Sequence, residues 1–311
     1  MTDIKPEQPN NWGRWGAEDQ RGAANLITGD VVQQSLKSVR SGTILSLSLP
    51  IQGATASRKR ENIPHLAGRP LPQHFMSIDG ADYAAGASHP AGGRAIADDA
   101  LMISPHGTTT HIDALCHMWL GDKIYNGHPS SRIRSYGATR CGIENLGPMV
   151  TRGVFFDIAG LHNKPHLDKD YRISIADLTA VLAKNQLTLQ SGDAVIIRTG
   201  WPTVFSTDKN IYWSGEPGLS SEAAEWLAAK DVAVVACDNS AISGLNCCGG
   251  ADETPTDDIH MIFLWRHGIY LVEMLWLEEL AKHQVASFLF ILAPLQIVGG
   301  TGSPVNPIAV L

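Results

Sequence analysis

Ser220-Ser-Glu-Ala-Ala-Glu-Trp-Leu-Ala-Ala-Lys230 is followed almost at once by Val232-Ala-Val-Val-Ala-Cys237, and the pair reads as a helix running into a buried strand. A continuous apolar run of this length, with β-branched residues, suits a strand covered on both faces. Upstream, Asp193-Ala-Val-Ile-Ile-Arg-Thr199 is a second run of the same kind. Strand, helix and strand in succession predict α/β layering.

The reading extends in both directions. Arg152 to Ile158 predicts a buried strand, Ser174 to Lys184 a capped helix, and Gly268 to Trp276 and Ala286 to Leu295 two more strands with a helix from Leu277 to His283 between them. Residues 1–40 form an N-terminal arm carrying Trp12 and Trp15, and they end in a helix over Thr28 to Arg40 with Thr28 or Asp30 as cap. Thr43 to Ile51 alternates as a strand. Gly53 to Ala97 lacks periodicity and is long enough to be a lid or binding loop. A second polar loop, Gly121 to Thr139, offers Tyr125, Asn126 and His128 to a pocket. No repeat is present, and the expectation is one α/β domain over 1–311 with a mixed, mainly β core and flanking helices.

Composition narrows the class. The chain has 311 residues, 44% of them hydrophobic, enough for a sizeable core, and a net charge of −7. No Lys/Arg block occurs, which argues against nucleic acid or an anionic membrane as partner. The first residues are polar and broken by Pro6 and Pro9, and no apolar stretch is long enough to cross a bilayer, so cytoplasmic residence is expected. Five cysteines without Cys-x-x-Cys spacing fit a reducing compartment, with Cys247-Cys248 read as small packing residues. No Gly-x-Ser-x-Gly elbow is present. Gly299-Gly-Thr-Gly-Ser303 precedes Pro304 and no helix, so it reads as a turn and not as a nucleotide-binding loop.

The chemistry concentrates in His106-Gly-Thr-Thr-Thr-His111-Ile-Asp113-Ala-Leu-Cys-His117. Residues two apart share a face of a strand, which groups His111 with Asp113. Residues four apart share a face of a helix, which groups Asp113 with His117. Imidazole and carboxylate together suit a borderline or moderately hard divalent ion such as zinc or manganese and do not suit a thiolate-type structural site. The bland alternative is a set of hydrogen-bonded core histidines. Downstream, His260 precedes an apolar run in which Glu273 is a lone carboxylate on a predicted buried strand, costly there unless it is paired or bound to metal.

These segments resemble the metal-dependent cyclase family that includes bacterial kynurenine formamidase and isatin hydrolase. The His-Gly-Thr to Thr-His-x-Asp-Ala-x-x-His stretch carries the likeness, with His260, Gly268 and Glu273 downstream. Further matches are Trp15-Gly-Ala-Glu-Asp19-Gln-Arg-Gly22-Ala-Ala-Asn25, Arg152-Gly-Val-Phe-Phe-Asp157, Gly192 to Trp201 and Ala236-Cys-Asp238-Asn239, so it covers nearly the whole chain. One departure stands out. The family places its first His four residues before the second, where this chain has Gly107, with His106 one residue back. Gly107 permits a backbone that could still bring His106 to the metal; otherwise the first ligand is missing.

The resemblance implies a swivelling β/β/α arrangement, a homo-oligomer (dimer or tetramer) whose site a neighbouring chain can complete, and one or two divalent ions per chain. With two ions, Asp113 bridges them, His106 and His111 serve one, and His260 and Glu273 the other. With one ion, His260 and Glu273 become supporting or acid–base groups. His117 is expected as the catalytic proton shuttle. Trp12, Trp15, Trp119 and Tyr125 are the candidate substrate contacts. Such a site fits hydrolysis of a small cyclic amide, imide, lactone or N-acyl arylamine. The alternatives are a cyclase or lyase that stabilises an enolate, and a non-catalytic metal-binding member.

Overall fold

Apolar runs buried on both faces become the centre of a nine-stranded mixed sheet in the computed structural model, which describes residues 8–53, 62–90, 92–243 and 258–311. Numbered along the chain, its strands are β1 (Ile44–Ser46), β2 (His111–Asp113), β3 (Met149–Asp157), β4 (Ala194–Arg198), β5 (Val234–Cys237), β6 (Tyr270–Glu273), β7 (Ser287–Leu292), β8 (Gly302–Pro304) and β9 (Ile308–Val310). They lie in the order β1-β9-β7-β3-β4-β5-β6-β2-β8. The four central strands, β3 to β6, are parallel, and the strands outside them pair antiparallel. Every residue of β4, β5 and β6 is buried, as expected of parallel strands covered on both faces.

Helices cover the faces. Ile175–Lys184 starts at Ser174, whose side chain accepts from Asp177 N while Asp177 reaches back to the cap. Ser221–Ala228 is capped by Ser220, whose side chain accepts from Ala223 N. Thr28 caps Gly29–Ser35, a helix shorter than the sequence predicts because a 3-10 turn over Leu36–Ser38 ends it. The strand predicted over 43–51 is likewise cut to three residues. After Ser46 the chain changes partner: Trp276 N donates to the Leu47 carbonyl and Leu49 N to Thr110 Oγ1.

The Gly53 to Ala97 stretch contains, among its described residues, a strand, Gln73–Ile78, that pairs antiparallel with Asp98–Met102 just beyond it, and a capped helix, Gly80–Ala84. The Gly299 to Ser303 run is a turn that continues into β8, the edge strand beside β2. Met261–His267, apolar as far as Trp265 and seven residues long, is a π-helical segment closed by Gly268 in the left-handed conformation at φ 62°. Among the described residues no helix is long and apolar enough to cross a membrane. Cys116, Cys141 and Cys237 are buried free thiols, while Cys247 and Cys248 lie outside the described residues.

Candidate metal centre

β2 lies between β6 and β8, and this position assembles the cluster. His111 is the register partner of Glu273 on one side and of Pro304 on the other, and Asp113 faces Gly302. After Asp113 the chain makes a turn, with His117 N donating to the Ala114 carbonyl. This turn, and not the helix the spacing suggested, brings His117 back over the strand end. His260 comes from the residue before the π-helical segment.

The side chains meet closely. His111 Nε2 is 3.3 Å from Glu273 Oε2 and 3.6 Å from Asp113 Oδ1, and His260 Nε2 is 3.2 Å from Glu273 Oε1 and 3.6 Å from Asp113 Oδ2. The His111 ring is oriented by the Thr109 carbonyl, 2.9 Å from Nδ1, which leaves Nε2 facing the carboxylates. His106 Nδ1 is 2.9 Å from Asp113 Oδ1 and its Nε2 is 3.2 Å from Thr301 Oγ1. His117 stacks on His106 with ring centroids 4.1 Å apart. Gly107, at φ 74°, makes the backbone bend that turns His106 inward.

Hydrogen bonds account for the outer contacts but not for the atoms at the centre. His111 Nε2, Asp113 Oδ2 and Glu273 Oε1 are buried and have no hydrogen-bond partner. Buried polar atoms are rarely left so, and each orphan of this kind costs on the order of 1–3 kcal/mol. Donors held at roughly 2.0–2.1 Å from a common tetrahedral centre stand about 3.3 Å from one another, close to the spacings found here. The nitrogen and oxygen donor set therefore fits a divalent ion. Asp113 belongs to two candidate groupings, one with His106 and His111 and one with His117 and His260.

The charges interlock. Burial works against ionising Asp113, but His117, His106 and His111 outweigh it and hold the carboxyl well below the usual range. Burial and Asp113 push Glu273 up, and His111 and His260 more than reverse this. Burial likewise opposes protonation of His260, yet Glu273 and Asp113 raise it to about 9, and Glu273 raises His111 in the same way. His117 goes the other way, to about 4: burial dominates, and His106 and His260 add repulsion against the pull of Asp113.

The cyclase family model matches residues 45–243. The chain belongs to the cyclase family. A crystal structure described as a novel cyclase is 36% identical, with TM-score 0.86, and the match covers 98% of this chain and 100% of that one. An isatin hydrolase bound to the product analogue thioisatinate shares the fold at 16% identity and TM-score 0.58, covering 92% and 99% of the two chains. A potential metal-dependent hydrolase with cyclase activity matches at 18% identity and TM-score 0.50, covering 86% and 98%. No curated protein matches in sequence.

Around this cyclase-family centre the remaining predicted residues scatter. Tyr125 is fully buried with its hydroxyl donating to Asp19, so the structure places it in the core and not at the cluster. Asn126 donates to the carbonyls of Gly16, Ala17 and Asp19, and His128 Nε2 is 3.0 Å from the Asp19 carbonyl. That loop fastens the N-terminal arm. Trp12 packs edge-on against Trp265 and donates to its carbonyl, Trp15 lies under the Arg14 guanidinium, and Trp119 is half exposed. Thr301, which no motif singles out, contacts His106 from the turn before β8.

Other family-like stretches build the frame. Arg198 makes a two-pronged pair with Glu278 and a third bond to Asp157. Asp238 accepts from Thr199 N, Thr199 Oγ1 and Gly200 N.

Proposed function

We propose that the protein is a metal-dependent hydrolase that cleaves a C–N or C–O bond in a small cyclic amide or imide, a lactone or an N-acyl arylamine. The observation that carries this reading is the set of unpartnered donor atoms on His111, Asp113 and Glu273 facing His260. The shared fold of an isatin hydrolase supports it. His111, Asp113, His260 and Glu273 would hold the ion, zinc or manganese, with Asp113 shared if two bind. A divalent ion there lowers the pKa of water toward neutrality and polarises a carbonyl.

The chain's own groups do the rest. His106 is engaged at both nitrogens, by Asp113 and by Thr301, so its role is to aim the Asp113 carboxylate. His117 is neutral near pH 7 and lies beside the carboxylate cluster, where it takes a proton and returns it to the leaving nitrogen or oxygen. Burial of Asp113 and Glu273 keeps bulk water from competing with substrate for their charge. Trp12, Trp15 and Trp119 remain the candidate substrate contacts. A homo-oligomer in the cytoplasm completes the reading, and analytical ultracentrifugation checks the assembly state.

Elemental analysis of the purified protein, with chelator-sensitive turnover on a panel of lactones, imides and N-acyl arylamines, tests the proposal. Stoichiometric zinc or manganese with turnover that chelation abolishes is the expected result. Incorporation of solvent oxygen into product separates hydrolysis from a lyase reaction, and bound metal without turnover on any panel member points to a non-catalytic binding protein.

A further inference from the structure

Another buried carboxyl, outside the cluster, is half-satisfied. Glu216 is 5% exposed; its Oε2 accepts from Ser240 N at 2.9 Å and Ser240 Oγ at 2.6 Å, while its Oε1 has no hydrogen-bond partner. The residue lines a cavity of about 180 Å³, walled by Leu66, Ala67, Tyr212, Trp213, Gly215 and Ser240. The walls are largely apolar and aromatic, with Glu216, Ser240 and Tyr212 carrying the polar groups, the usual make-up of a small-molecule site, and the cavity is smaller than the roughly 300 Å³ at which drug-sized pockets begin. It suits a single small ring system.

Two backbone links tie this cavity to the metal centre. Leu66 N donates to the Gly107 carbonyl at 2.7 Å, and the Leu66 side chain lies against Gly107 itself, next to His106. On the other side, Ser240 follows Asn239, whose carbonyl accepts from Met274 N, next to Glu273. Two residues of the cavity's wall, Leu66 and Ser240, thus adjoin the backbone next to His106 and Glu273.

We propose that this cavity receives the ring of the substrate, and that Glu216 is the specificity residue that recognises an oxygen atom on that ring. The proposal deepens the hydrolase reading and rests on it. Because Oε2 accepts two hydrogen bonds from Ser240, the proton of a neutral carboxyl belongs on Oε1. Burial favours the neutral form, which Ser240 only partly opposes, and the charges of Glu273 and Asp238 push the same way, so the group titrates near 8. Tyr212, which also lines the cavity, is raised by burial and stays a neutral phenol. Glu216 therefore presents one O–H donor, and the matching ligand group is a carbonyl or ether oxygen. Trp213, 39% exposed, supplies an aromatic wall at the mouth.

The test uses ligands with no bond that a hydrolase can cut, so that binding is read apart from turnover. Calorimetric titration compares 1-indanone with indane, which differ by one oxygen, on the purified wild type, Glu216→Gln, Glu216→Leu and Trp213→Ala. Wild type should bind 1-indanone about five-fold more tightly than indane, the worth of one neutral hydrogen bond. Glu216→Gln should keep that preference, since its carbonyl can serve Ser240 while its amide N–H donates; Glu216→Leu should erase it. Trp213→Ala, at a partly exposed position, should weaken both ligands alike. Equal binding of the two ligands by wild type, an unchanged preference in Glu216→Leu, or a Glu216→Gln as impaired as Glu216→Leu would each overturn the assignment. Absent turnover on the hydrolase panel, with the oxygen preference intact, would count against the hydrolase reading alone.

Discussion

His111 and Glu273 sit opposite each other as register partners on neighbouring antiparallel strands, and their side-chain atoms approach to 3.3 Å. The pairing explains how a carboxylate on a fully buried strand is tolerated. Its register partner is an imidazole on the neighbouring strand β2, which the edge strand β8 covers on its other side, and Asp113, two residues on, faces the same way. Because side chains alternate along a strand, a slip of one residue between β6 and β2 would send His111 and Asp113 to the opposite face. The site is therefore fixed by sheet register.

From this follows the first expectation. His111→Ala and Asp113→Ala should each abolish metal content and turnover while the thermal transition stays cooperative. Inductively coupled plasma analysis alongside a melting curve measures both. Full metal occupancy in either variant would remove the site as drawn.

Metal affinity should rise with pH. His260 is raised to about 9 and His111 is raised as well, both by the carboxylates beside them, so below those values protons occupy the nitrogens an ion needs. Lowering the pH from 9 toward 6 should weaken apparent zinc binding and increase the protons released per ion bound. Calorimetry in buffers of different ionisation enthalpy counts those protons, and a pH-independent affinity would contradict the arrangement.

Much of this was legible in the sequence because the strongest signals are local. The apolar runs of β4 and β5 and the Ser174 and Ser220 caps carry their own structural instructions, and His111-x-Asp113 already shares a strand face. What stayed hidden depends on partners far along the chain. Tyr125 looks like a pocket aromatic until Asp19 is seen holding its hydroxyl, and Thr301 means nothing until β8 pairs with β2. The run after His260 is apolar as far as Trp265 and suits a strand as well as a helix, and Gly268 decides where one ends and the other begins.

His117→Ala should separate chemistry from binding. The ring touches the cluster by stacking on His106 and is neutral near pH 7. Loss of a group that carries a proton costs on the order of 10²–10⁴-fold in rate, with metal content retained. If metal is lost together with rate, His117 is a ligand.

Gly268→Ala should damage the frame. The residue has φ 62°, and an added Cβ would lie 2.6 Å from the Tyr125 ring. A left-handed conformation alone costs a side-chain-bearing residue roughly 1–2 kcal/mol, before the ring has to move. Because Gly268 joins the segment after His260 to the strand that ends at Glu273, weaker metal binding should accompany a lower melting temperature. Wild-type values for both would show that the junction tolerates a shift.

The histidine next to Gly107 gives the last expectation. His106 already has Asp113 at one nitrogen and Thr301 at the other, and a ring so engaged supports a ligand without needing to be one. His106→Ala should therefore leave the number of ions per chain unchanged and weaken their binding by roughly 10–100-fold, the cost usual for a lost orienting partner. Thr301→Val, which removes only the outer contact, should weaken binding less, because Asp113 keeps its own hydrogen bond to the ring. Metal titration of wild type and both variants decides the point. A lower stoichiometry in His106→Ala makes His106 a ligand, and a curve superimposable on wild type removes it from the site.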